Sequence, residues 1–125
     1  MKRLATVGVG RMGRVRTEAF LTAGDVTLCG VAARRLERAR AFAKRYGCSD
    51  AFDDYRALSG CRPDIVLVET PHLVQDEIVR WALEDGCHVL IGGSPACSGE
   101  AARMFARTAR TRGLVAEAGY EARYK

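Results

Sequence analysis

The stretch Leu4-Ala5-Thr6-Val7-Gly8-Val9-Gly10-Arg11-Met12-Gly13 decides the fold. A short apolar run ends on a glycine, and two further glycines follow at spacings that suit a tight turn into a helix. This arrangement is the dinucleotide-binding fingerprint, and each glycine answers a physical need. Gly8 permits the turn, Gly10 lets a pyrophosphate approach the backbone, and Gly13 lets the helix lie close against the strand. The helix starting near Met12 then aims its unpaired N–H groups and the positive end of its dipole at the phosphates. Backbone N–H groups of Arg11 and Met12 belong to that cradle. Glycine-rich turns are common, so the flanks carry the weight: a buried strand before and an amphipathic helix after.

Outward from this turn, strand and helix patterns alternate to the end of the chain. Met12, Val15, Ala19 and Phe20 recur at helical spacing up to Ala23-Gly24. Val26 to Ala32 is an unbroken apolar run, as expected of a strand covered on both faces. Leu36, Ala39, Phe42, Ala43 and Tyr46 mark a second helix, with Gly47 placed where a helix end favours a left-handed residue. Ala51-Phe52 forms a minimal strand, followed by a helical turn from Asp53 to Leu58. Ile65 to Val68 is a strand. The next helix, from about Leu73 to Glu84, turns Val74, Ile78, Trp81 and Ala82 to one side. His88 to Ile91 is a fifth strand. Ser98 caps a helix with Glu100 in its first turn and Ala101, Phe105 and Ala109 facing inward. Leu114 to Ala118 completes the series after Gly113. The alternation predicts an α/β fold, a doubly wound (Rossmann) parallel sheet of about six strands with helices on both faces, over residues 1–119.

Composition sets the outer bounds. The 125 residues are 48% hydrophobic and 28% charged, with a formal net charge of +5. These values suit an ordinary globular domain. The arginine excess is scattered through helices, so a nucleic-acid face is not indicated. No apolar run approaches the length of a membrane span. Five cysteines (Cys29, Cys48, Cys61, Cys87, Cys97) form no CxxC pair, and Arg11 and Arg14 interrupt anything resembling a secretory leader. Reduced thiols and a cytoplasmic address are expected. Neither His72 nor His88 has a partner at metal-ligand spacing, so no metal site is expected.

In a doubly wound sheet the ligand lies at the carboxyl ends of the strands, which directs attention to the residues just after each one. An NAD site carries an acid about 20 residues past the fingerprint, to accept from the ribose 2′-hydroxyl. Here that place is Ala33, followed by Arg34 and Arg35. Two guanidinium groups suit a 2′-phosphate, although a pair of arginines also opens many solvated helices. Position and missing acid together favour NADP over NAD. After the fourth strand, Thr70 and Pro71 either border the ribose or simply start a helix. After the fifth, Gly92-Gly93-Ser94-Pro95 permits close approach of a ligand, with Ser94 near the nicotinamide, or is a plain loop. His88, opening a buried strand, is read as structural.

The chain resembles the N-terminal domain of the glucose-fructose oxidoreductase / inositol dehydrogenase / rhizopine catabolism (Gfo/Idh/MocA) family. The likeness rests on Val7 to Gly13, on Val31-Ala32-Ala33-Arg34 with Glu37-Arg38-Ala39, and on Pro63-Asp64-Ile65-Val66 through Thr70-Pro71. It continues through Ala82-Leu83 and Gly86-Cys87-His88-Val89-Leu90 to Gly119-Tyr120-Glu121-Ala122-Arg123-Tyr124. The resemblance implies a nicotinamide-dependent oxidoreductase of sugars, cyclitols, imines or similar small molecules. Hydride would pass between the cofactor and a carbon held by a second domain, with residues 120–125 starting the crossing to it and the domain itself absent. It also marks departures. The lysine of a Glu-Lys-Pro segment is Ser94 here, a frequent histidine is Gln75, and the aspartate of NAD-preferring members is Ala33.

Three functions stay open at this point. The chain is the NADP(H)-binding half of an oxidoreductase that meets its substrate through another domain, within a partner chain or homo-oligomer. Alternatively it is a non-catalytic NADP-binding sensor, which Ser94 in place of lysine favours. In the third, the glycines serve only the fold and no dinucleotide binds. Catalysis by these residues alone is not expected, and no residue is assigned a catalytic role.

Overall fold

The computed structural model describes residues 1–92 and 99–118. Its order is β1 (Lys2–Val7), α1 (Arg11–Thr22), β2 (Val26–Ala32), α2 (Leu36–Arg45), β3 (Ala51–Phe52), a 3₁₀ helix (Tyr55–Cys61), β4 (Ile65–Val68), α3 (His72–Glu84), β5 (His88–Ile91), α4 (Gly99–Arg112) and β6 (Ala116–Ala118). All strand pairs are parallel, in the order β3-β2-β1-β4-β5-β6. From β1 the chain therefore winds outward to β3, returns to β4 beside β1, and winds outward the other way. That reversal between β1 and β4 is the crevice where this architecture places ligands. The expected doubly wound sheet is present, with six strands.

Strand alternation divides the core into two. Ala5, Val7, Val66 and Val68 point to a cluster completed by Ile78, Val79, Ala82 and Leu83 of α3 and by Phe105 and Ala109 of α4. Leu4, Leu28, Val31 and Leu67 point the other way, onto Ala39, Phe42 and Ala43 of α2. The period-two pattern breaks once in β2. A register shift between Leu4 and Ala5 lets Leu28 and Val31 share one face while Cys29 and Ala32 share the other. On that bulged strand a Cβ at Gly30 would lie 2.7 Å from Leu58 Cδ2, so the glycine makes room for the 3₁₀ helix.

The first helix is rotated relative to its apolar spacing. Met12 and Val15 are 44% and 46% exposed, and Ala19 is exposed as well. Its buried residues are Gly13 and Thr17, with Phe20 and Leu21 packed against the α2-side core. Two contacts fix this rotation. A Cβ on Gly13 would collide with the Gly8 carbonyl oxygen, and the Thr17 hydroxyl hydrogen-bonds that of Thr6 at 2.9 Å inside the core. Backbone approach and one buried hydroxyl pair thus outweigh the apolar surface of Met12 and Val15. Val74 likewise departs from the inward face expected of it and is 38% exposed. The last strand is shorter than expected because Leu114 N–H closes α4 on the Ala109 carbonyl at 2.7 Å. His88 acts structurally, its Nδ1 accepting from Val115 N–H at 3.0 Å.

Ser94, the Ser98 cap, Cys97 and residues 120–125 lie outside the described residues, as does the side chain of His72. No helix among the described residues is long and apolar enough to cross a membrane.

Cys29, Cys48, Cys61 and Cys87 are free and buried. Burial pushes the thiols of Cys29 and Cys87 up to about 11. At pH 8 their thiolate fraction is on the order of a hundredfold below that of an ordinary thiol. Both are therefore expected to resist iodoacetamide in the folded protein and to react at once in denaturant. Mass spectrometry of the two digests checks this, and rapid native labelling of either would contradict it.

Candidate functional site

Backbone register puts the candidate residues in one row. Val7 faces Ala32 on one side and Val68 on the other, and Val68 faces Ile91. The next residue of each strand follows the same line: Gly8, Ala33, Glu69 and Gly92. Hydrogen bonds continue past the strand ends to hold the row. Gly8 N–H donates to Ala32 O at 3.0 Å, Glu69 N–H to Val7 O at 2.8 Å, and Gly92 N–H to Val68 O at 2.9 Å. The β3 end joins through Ala33 N–H to Phe52 O at 3.1 Å.

A cleft of about 810 Å³ opens over the β2, β1 and β4 part of this row. Of the sequence-derived candidates, Gly8, Gly10, Ala33, Arg34, Arg35, Thr70 and Pro71 line it. Gly13 does not; it is spent on contact with Gly8. Arg11 and Met12 are exposed in the first turn of α1 and their side chains do not line the cleft. Their backbone N–H groups, with that of Gly13, precede the first helical bond, from Arg14 N–H to Gly10 O at 3.0 Å. The N-cap residue, Gly10, offers no side-chain cap, and the first turn holds no acid. Nothing lies within 4 Å of where a Cβ of Gly10 would stand, so this side of the turn is open.

Two polar features show what the cleft could hold. Thr70 Oγ1 is buried with no hydrogen-bond partner, and such a group costs about 1–3 kcal/mol when left so. A ribose hydroxyl or amide at the end of β4 would satisfy it. On the β2 side Arg34, Arg35 and Arg38 line one wall, with no acid at Ala33 to receive a 2′-hydroxyl. The residues present therefore fit a dinucleotide: open glycine turn, helix N-terminus, a buried hydroxyl and cationic side chains.

Several lining residues were not foreseen. Arg38, three residues past the α2 N-cap Arg35, could have been found from helical spacing alone. Asp53 follows a strand end and obeys the same rule that located Ala33 and Thr70. Tyr55 and Glu77 carry no local signal, since the 3₁₀ helix and α3 meet only in the fold. There Tyr55 donates its hydroxyl to Glu77 Oε2 at 2.8 Å and stands edge-on to Trp81, ring centroids 5.3 Å apart. Burial, and then the Glu77 acceptor, push the Tyr55 phenol upward, so it keeps its proton. Glu69 stands just past β4, where the strand-end rule directs attention, but its surroundings were not foreseen. Its carboxylate is 9% exposed, lies against Gly92 and pairs with Arg16, which is 16% exposed.

Comparison with known proteins agrees with this geometry. The model of the Gfo/Idh/MocA oxidoreductase family, NAD-binding Rossmann fold, matches residues 2–120. The chain belongs to this family. D-glucoside 3-dehydrogenase of Escherichia coli K12 is 37% identical over 115 residues, covering 90% of this chain and 33% of that protein. Among solved structures, UDP-N-acetylglucosamine 3-dehydrogenase GnnA from Acidithiobacillus ferrooxidans superposes with a TM-score of 0.83 at 30% identity, covering 94% of this chain and 38% of that one. GenD2 from gentamicin A biosynthesis, in complex with NAD, gives a TM-score of 0.88 at 27% identity, covering 94% and 34%. The chain thus spans about a third of the length of these family members and corresponds to their nicotinamide-dinucleotide domain.

Proposed function

We propose that this chain binds NADP(H) along the carboxyl edge of its sheet and is the cofactor half of an oxidoreductase. The pyrophosphate would rest on Gly8, Gly10 and the first N–H groups of α1. The 2′-phosphate would lie against Arg34, helped by Arg35 and Arg38. Thr70 and Pro71 would border the nicotinamide-side ribose, and Ser94 would stand near the nicotinamide. The cofactor, when bound, supplies or accepts the hydride; the protein's own groups position it and neutralise its charge. The observation that carries the NADP choice is the cationic wall at the place where an NAD site presents a carboxylate. The names of the Escherichia coli and Acidithiobacillus relatives both refer to position 3 of a sugar. A sugar hydroxyl or the matching ketone, presented by a second domain, is accordingly the proposed substrate class.

Ser94 favours a second reading, a sensor that binds NADP(H) without turnover. A serine cannot act as the ammonium acid that the family's lysine provides.

Calorimetric titration with NADPH and NADH tests the cofactor assignment. Arg34→Ala is expected to weaken NADPH about tenfold to a hundredfold, the range for a charge-assisted contact, with little change for NADH. Equal losses for both would overturn the role of Arg34. Hydride exchange with a 3-keto sugar, measured on the chain joined to its substrate domain, separates enzyme from sensor.

A further inference from the structure

A second cavity, of about 410 Å³, lies between the last turns of α2 and the outer edge of the sheet. Arg40 and Lys44 of α2, the connection 47–49 and Ala51 of β3 line it. Its charge is one-sided, with two cations and no carboxylate. Arg40 and Lys44 have no ion-pair or hydrogen-bond partner among the described residues. The adjacent Arg45, by contrast, reaches Glu18 at 3.8 Å and lies 5.7 Å from the Tyr46 ring. Four residues apart on one helix, Arg40 and Lys44 share a side and repel each other. An anion between them turns that repulsion into attraction to a common partner.

The backbone adds a donor here. Val31 N–H bonds to Asp50 O at 3.0 Å and Ala33 N–H to Phe52 O at 3.1 Å, so residues 50 and 52 face β2. Ala51 lies between them on the edge strand, and its N–H therefore points outward from the sheet. Ser49 contributes a hydroxyl. The carbonyls ending α2 would repel an anion, but they are covered. Cys48 N–H bonds to Ala43 O at 2.8 Å and Gly47 N–H to Lys44 O at 3.2 Å. Gly47 makes this reversal at φ +73°, with nothing within 4 Å of where its Cβ would stand. Cys48 adds no negative charge, since burial raises its thiol, which donates to Asp50 O at 3.7 Å.

From this we infer that the cavity between α2 and β3 is a second anion site, for the phosphate group of a small phosphorylated molecule. It is separate from the cofactor cleft, and the inference does not rest on the NADP(H) reading. The Arg40 guanidinium forks onto two phosphate oxygens, and the Lys44 ammonium neutralises the remaining charge. Ser49 and the Ala51 N–H donate to the same group. A phosphate monoester, close to doubly charged, matches two cations where a carboxylate matches one. The cavity is half the size of the 810 Å³ cofactor cleft and exceeds a bare phosphate, which leaves room for a sugar-sized remainder. Both cations are exposed, so solvent and salt screen them and the affinity falls in the millimolar range.

The test follows backbone amide signals of the isotope-labelled chain by NMR during titration with glucose 6-phosphate. Inorganic phosphate, glucose and sodium chloride at matched ionic strength are titrated separately. The amides of Ser49 and Ala51 are expected to shift and saturate with the phosphate ester, more weakly with inorganic phosphate, and not with glucose. Arg40→Gln and Lys44→Gln should each weaken the ester about tenfold, and the double variant should abolish its effect. Both side chains are exposed, so signals elsewhere should be unchanged and report an intact fold. Ester entering the cofactor cleft instead would move Gly8 and Gly10 and would be indifferent to these substitutions. Silent Ser49 and Ala51 amides, equal shifts with chloride, inorganic phosphate binding as tightly as the ester, or shifts that persist in the double variant each overturn the inference.

Discussion

Gly8→Ala is expected to destabilise the fold severely, whereas Gly10→Ala, two residues along the same turn, should fold normally and lose dinucleotide. The contrast follows from what each side chain would meet. Gly8 has φ of +99°, a conformation that side chains other than hydrogen rarely adopt. Its Cβ would also run into the backbone carbonyl of Glu69, which cannot yield without parting β1 from β4. Strain and overpacking together are expected to cost about 2–5 kcal/mol, a large share of the ~5–15 kcal/mol that holds a domain folded. Gly10, at φ −75° and ψ −170°, sits where alanine is comfortable, and its Cβ would point into open space. Its replacement should cost under about 1 kcal/mol as a poorer helix cap. Yet that open space is where the pyrophosphate must approach. Urea midpoints and NADPH titrations of both variants check the pair. A Gly10→Ala protein that binds NADPH as tightly as the parent would mean that the turn serves the fold alone.

The glycine turn was legible because its requirements are local. A positive φ and a close helix approach act over six residues, so Gly8 and Gly13 announce themselves by type and spacing. Apolar strands were legible for a similar reason: β2, β4 and β5 have the expected bounds because strands buried on both faces tolerate few polar residues. The rotation of α1 was not, since Met12 and Val15 have the spacing of a core face while the real constraint is the Thr6–Thr17 hydroxyl pair across eleven positions. Candidate residues at strand ends could be listed by rule, and register then aligns Gly8, Ala33, Glu69 and Gly92. What the rule cannot provide is the wall facing Arg34. Tyr55 and Glu77 come from elements 22 residues apart, and neither sequence neighbourhood signals a ligand.

Glu69 is the sharpest case of a residue whose meaning appears only in three dimensions. In sequence it is simply the first residue past β4, at the edge where a ligand is expected, with no partner in view. In the fold its carboxylate occupies the space where a Cβ of Gly92 would stand, and it pairs with Arg16 one turn past Gly13. The pair ties α1 to the carboxyl ends of β4 and β5, and Glu69 itself lines the cleft. With side chains 16% and 9% exposed, neither charge has much access to water. A buried pair of this kind contributes little net stability over apolar replacements, but removing one member leaves the other charge desolvated. Arg16→Ala, which strips the buried Glu69 carboxylate of this partner, is therefore expected to cost about 3 kcal/mol, and Glu69→Ala less. Replacing both by methionine, which matches the length of Glu69, is shorter than Arg16 and removes both charges, should recover part of the loss. Denaturant unfolding of the two single variants and the double variant measures the coupling. Strictly additive losses would mean that the pair is an ordinary surface contact. Strong coupling with weakened NADPH binding in the singles, restored in the double, would mean that the pair sets the spacing of the strand ends on which the cofactor rests.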